Sequence, residues 1–205
     1  MVLGREVVLA GNTRNLRLVG LVGLLAVADA AFHLEAIRTG TADYALRAAL
    51  STVLMLVMLV GGRIIPAFTR NWLAARGTAP LPAPFSAYDT ATMAVSAAAL
   101  AAWTVLPAAT ASGWLALAAG ALNAGRLARW CGLRTRSEPL LAILHVGFAT
   151  IPLGFGLVGL SILAPAVADP ISAVHVWSAG TVGVMTLAVM ARAGRGHSGR
   201  PLAAG

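Results

Sequence analysis

The chain has 205 residues, 59% of them hydrophobic and 11% charged, with a mean hydropathy of +0.82, which excludes a water-soluble globular domain and points to an integral membrane protein. Its formal net charge of +8 comes from fifteen basic residues, all arginine, against seven acids. These arginines fall between apolar runs rather than over one water-exposed face, which excludes nucleic acid as a partner.

Six apolar windows approach the ~20 residues needed to cross a hydrocarbon core as a helix. They are 16–36, 45–65, 91–109, 112–127, 139–163 and 170–193. The fourth is the shortest and carries Asn123 and Arg126 near its end. The reading is an all-α, single-domain bundle of six transmembrane helices over residues 1–205. The Pro-, Gly- and Ala-rich stretch GTAPLPAPFSAYD is the one clear linker.

Orientation follows from the arginines, because basic flanks stay on the cytoplasmic side. Arg5, Arg14 and Arg17 lie before or at the start of the first window; Arg63, Arg70 and Arg76 at or beyond the end of the second; Arg126, Arg129, Arg134 and Arg136 at or beyond the end of the fourth; Arg192, Arg195 and Arg200 close the chain. The alternate loops and window edges hold only Arg38 and Arg47. This asymmetry predicts an even number of spans with both termini cytoplasmic. Trp72 and Trp130 are expected at inner interfaces, Trp103 and Trp114 at outer ones, and Trp177 deeper.

In the first window Asp29 and His33 are four residues apart, one helical turn, where the carboxylate could orient the imidazole. Ionisable groups within a span are functional candidates because hydrocarbon penalises them. His33 is expected near the outer boundary, as is His175 at the start of the sixth window, so the two could face each other. His145, about two turns into the fifth window, and His197, after the sixth, form a second group on the inner side. Imidazole is a common ligand of haem iron and copper. It is also a common interhelical hydrogen-bonding group, and no CxxCH, HxxxH or HExxH spacing is present. The single cysteine, Cys131, excludes an intramolecular disulfide.

The segment GGRIIPAFTRNW, residues 61–72, places Arg63 and Arg70 seven residues apart. That is two turns on one face if the helix continues past Pro66, a residue that kinks helix interiors. The pair then suits a cofactor carboxylate such as a haem propionate, beside the plainer role of marking the inner boundary. Gly61 and Gly62, and Gly154, Gly156 and Gly159 in the fifth window, look like helix-packing positions.

Four segments carry a resemblance to a known family: FHLEA around His33; GGRIIPAFTRNW; RLARWCGLRTRSEPLLAILHVGFATIPLG around His145; and HVWSAGTVGVMTLAVMARAGRGHSGR, from His175 to beyond His197. The chain resembles the NnrS family of bacterial membrane proteins, described as haem- and copper-containing and linked to nitric oxide metabolism and tolerance. The likeness is to the C-terminal half of that family. The histidine-rich N-terminal half has no counterpart here.

The resemblance implies a bacterial inner-membrane protein with haem, and copper as a second metal, whose ligands are drawn from His33, His145, His175 and His197. Asp29 would support His33, and Arg63 and Arg70 would hold the cofactor. Nitric oxide is the implied ligand and a homo-oligomer one way to complete the assembly. Two other classes fit the residues: a small-molecule or metal-ion carrier without haem, and a structural subunit whose histidines only join helices.

Overall fold

The computed structural model describes residues 16–197, which form six helical rods joined by short connections, with no strand among them. Helix α1 is Leu16–Thr39, α2 Asp43–Ala74, α3 Ala87–Val105, α4 Thr110–Ala128 and α5 Pro139–Leu163. The last rod begins as α6, Pro170–His175, continues as a nine-residue π-helical stretch, Val176–Val184, and ends as α7, Met185–His197. Four rods are long and apolar enough to cross a membrane: α1, α2, α5 and the last. The 19-residue α3 and α4 have nearly the required length at ~1.5 Å per residue but are less apolar. Six rods stand where six apolar windows were expected, and four of them qualify as spans on length and apolarity.

The largest departure from the sequence reading is α2. It continues through Pro66 to Ala74, 32 residues in all, or ~48 Å of helix. That exceeds a ~30 Å hydrocarbon core by several turns. GGRIIPAFTRNW is consequently helical throughout rather than a boundary after a helix. Pro66 removes one backbone donor, and close packing on both sides of it holds the rod together: Ile65 and Thr69 are both fully buried.

Helix α5 is central, packed against α4, α2 and the last rod. Its Pro139 sits at the first helical turn, where a missing N–H costs nothing. Small residues set its approach to α4. A Cβ on Gly159 would clash with Leu117, and one on Gly113 with Leu163. Gly154 is bare because the Trp177 indole occupies the space beside it, its Nε1 donating to the Ile151 carbonyl at 3.2 Å. Gly156, expected on the same packing face, has open space around it and is not part of that contact.

The wide π-helical turns seat Trp177 in the core, edge-on to Trp103 at 5.4 Å and to Phe155 at 5.2 Å. Thr181 of the same stretch meets Thr150 of α5, hydroxyl to hydroxyl at 2.7 Å. Trp130 is a correction: rather than lying at an interface it is 2% exposed and packs on Phe148, ring centres 4.6 Å apart. Trp114 is 62% exposed.

Glu35, the acid of FHLEA, closes the turn between α1 and α2. Its two carboxylate oxygens accept from the Tyr44 and Ala45 backbone N–H groups at 3.0 and 2.8 Å, at the N-terminus of α2.

Candidate functional site

Most of the buried charge of the described chain gathers at the end of the bundle rich in arginine. There the C-terminal part of α2, the start of α3 and the end of α4 surround a cavity of ≈ 1100 Å³. Its deeper wall is apolar, with Leu21, Met55, Leu59 and Met93, while Arg63, Arg70 and Asn71 stand toward the chain's arginine-rich end. The volume lies at the upper end of the ~300–1,000 Å³ typical of small-molecule sites. Continuation of α2 past Pro66 puts both Arg63 and Arg70 in its lining, as the seven-residue spacing requires. Arg63 is exposed, whereas Arg70 is half-buried and donates to the Pro82 carbonyl in the linker.

A third cation of the cavity, Arg126, is read from the sequence only as an inner-flank charge. It is 2% exposed, inside the bundle, with Nε donating to Asp89 Oδ1 at 3.0 Å. Its Nη1 lies 3.4 Å from both the Met58 carbonyl and Met93 Sδ. Asp89 is shared, its other oxygen meeting Arg129 at 3.2 Å. Asp89 also accepts from the Ser86 backbone N–H at 3.0 Å in a capping box that starts α3. Arg129 in turn holds Ser86 Oγ at 3.0 Å and stacks 4.9 Å from the Tyr88 ring centre. One legible signal was the S-x-x-D pattern of Ser86 and Asp89 before an apolar run. The lining therefore carries three arginines and one carboxylate, a surplus of positive charge that suits an anionic group.

His145 is the one buried imidazole among the described side chains. Its Nε2 lies 2.9 Å from Thr69 Oγ1, and that hydroxyl donates to the Ile65 carbonyl at 2.9 Å. A hydroxyl has one proton to give, so it accepts from Nε2–H, which leaves Nδ1 as the bare lone pair. Nδ1 has no partner among the described residues and lies against Gly132, where any Cβ would clash with the ring. Cys131, next to Gly132, adopts a left-handed conformation at φ 58°. Nearby, Glu138 and Arg192 are both buried, with Oε1 and Nη1 4.0 Å apart, and Arg192 stacks 4.5 Å from the Phe68 ring centre.

The remaining candidates are not drawn into this cluster. Asp29 and His33 are exposed on α1, which packs principally on α2, and the carboxylate does not hydrogen-bond the imidazole. The His33 ring meets Phe32 edge-on at 5.5 Å. His175 is exposed at the end of α6, with Nδ1 3.0 Å from the Ile171 carbonyl. His197 ends α7, and its side chain lies outside the described ones. No group of three or more His, Cys, Asp or Glu side chains placed to hold one metal ion occurs among the described residues.

Helical rods of membrane-crossing length, packed through small residues and intramembrane polar clasps, define a multi-pass membrane protein. A family profile described as NnrS protein matches residues 1–205. The chain belongs to the NnrS family. Comparison with curated proteins and with solved structures returned no match.

Proposed function

We propose that this chain is a haem protein of the bacterial inner membrane, with copper as a second metal, that handles nitric oxide or protects against nitrosative stress. The observation that carries the reading is the ≈ 1100 Å³ cavity, with Arg63 and Arg70 on one side and an aliphatic and thioether wall deeper in. An amphipathic macrocycle bearing two carboxylates matches that polarity. Arg63 and Arg70 would clasp its carboxylates, Arg126 would add a third positive charge, and Leu21, Met55 and Leu59 would exclude water from its apolar body.

The lining residues fit this group at its carboxylate end, and none of them is a histidine. For iron or copper, His145 offers a buried Nδ1 without a hydrogen-bond partner among the described residues. His33, His175 and His197 complete the proposed ligand set, with Asp29 in support of His33. When bound, the haem would supply redox chemistry and a coordination site for nitric oxide. Six spans with both termini cytoplasmic belong to this reading; the arginine asymmetry and the presence of six rods support it.

The test is a visible spectrum with metal analysis of detergent-purified protein from haem-supplemented cells. A Soret band, weakened by R63A/R70A and altered by replacing individual histidines, is the expected result. Absence of bound haem in the unmodified chain overturns the reading. A carrier without haem is the second reading, favoured by the buried polar atoms Glu138 Oε1, Arg192 Nη1 and His145 Nδ1, which lack hydrogen-bond partners among the described residues.

A further inference from the structure

Asp29 and His33 lie one turn apart within α1, and both are exposed. The helix packs on α2 through a different face, where Ala28 is 3% exposed and Leu21, Leu25 and Phe32 are half-buried. Helical periodicity places Val22, Ala26, Asp29, His33 and Ile37 along a separate stripe, and all five are exposed. Because α1 is long and apolar enough to cross a membrane, this stripe meets hydrocarbon unless a protein surface covers it. Ionisable side chains in spans almost always face protein or water, because lipid cannot solvate them. Neither Asp29 nor His33 has a hydrogen-bond partner among the described residues.

We propose that the stripe is the interface of a homodimer in which Asp29 of each copy accepts a hydrogen bond from His33 of the other. Copies of a membrane protein insert in one orientation, so a closed pair is related by a two-fold axis along the membrane normal. The two α1 helices then run parallel and in register. An acceptor and a donor one turn apart on the same stripe, ~5.4 Å along the axis, make that stripe self-complementary, and the symmetry forms the diagonal bond twice. A neutral imidazole already carries one N–H, so the bond requires no change of protonation. Ala26, on the same stripe, is small enough to let the two backbones approach. An imidazole has two ring nitrogens, so the N–H that meets Asp29 of the other copy leaves the second nitrogen for the metal-ligand role proposed for His33 above.

Disulfide trapping of the full chain in proteoliposomes tests it, with Cys131→Ser removing the native thiol. Cross-linking needs Cα atoms within about 4.4–6.8 Å. A26C is expected to give a covalent dimer on oxidation. V27C, at a site 64% exposed but turned ~100° around the helix, is expected to stay monomeric. The detergent-solubilised protein is expected at twice the 20.8 kDa chain mass, falling to the single mass in D29L/H33L and staying doubled in D29N, whose amide oxygen still accepts. Both positions are exposed, so the substitutions leave the packing within one copy intact. A monomeric parent chain, equal cross-linking at A26C and V27C, or a dimer that survives D29L/H33L would each overturn the proposal.

Discussion

The Arg126 guanidinium lies against the bare backbone of Gly62, in space that the first atom of any side chain would take. The cation is held there from the other side by Asp89 at 3.0 Å. The second glycine of GGRIIPAFTRNW is thus explained by a partner 64 positions later in the chain, from Gly62 to Arg126.

Gly62→Ala is expected to destabilise the protein by about 1–3 kcal/mol, because the guanidinium cannot withdraw without losing Asp89 or the Met58 carbonyl. Gly156→Ala meets open space and is expected to be neutral or to stabilise by up to about 1 kcal/mol, because alanine is the better helix former. Thermal unfolding of the two variants in detergent checks this. Equal unfolding temperatures in the two variants would show that the collision with Arg126 sets no cost.

Asp89→Ala leaves the Arg126 charge buried without its counter-ion and is expected to cost about 3–5 kcal/mol. Adding Arg126→Met removes the stranded charge, so the double variant is expected to be more stable than Asp89→Ala alone. A double-mutant cycle read by unfolding midpoints tests the coupling. Additive losses would refute it.

Thr69→Val keeps the side-chain shape but removes the hydroxyl that His145 Nε2 faces at 2.9 Å. With Nδ1 already unpartnered, the ring then has no hydrogen bond among the described residues, at an expected cost of about 1–3 kcal/mol. Thr69→Ser is expected to retain most of the stability. If Thr69→Val unfolds at the parental temperature, the bond contributes nothing to the fold.

Glu35→Ala frees two backbone N–H groups at the start of α2 and is expected to cost about 0.5–2 kcal/mol. Glu35→Gln retains one accepting oxygen and is expected to fall between. Faster amide exchange at Tyr44 and Ala45 in Glu35→Ala is the local readout, and unchanged exchange would show that the clamp does not operate.

The sequence by itself determined the solvent class, the all-helical architecture, the approximate place of each rod and the family. These follow from apolar run length, from Pro and Gly punctuation, and from motifs local to one stretch of chain. The start of α5 at Pro139 and the end at Leu163 coincide with the expected window. Periodicity also put Arg63 and Arg70 on one face. Only the tertiary structure decided what each face meets. Counting charges treats every arginine alike, yet Arg126 is buried because Asp89 from a different helix accepts its hydrogen bond, while Arg63 stays exposed. His145 and His33 are likewise equivalent as letters. One is enclosed by α2 through Thr69, the other points away from the bundle, and that difference is set by contacts between helices that no local pattern encodes.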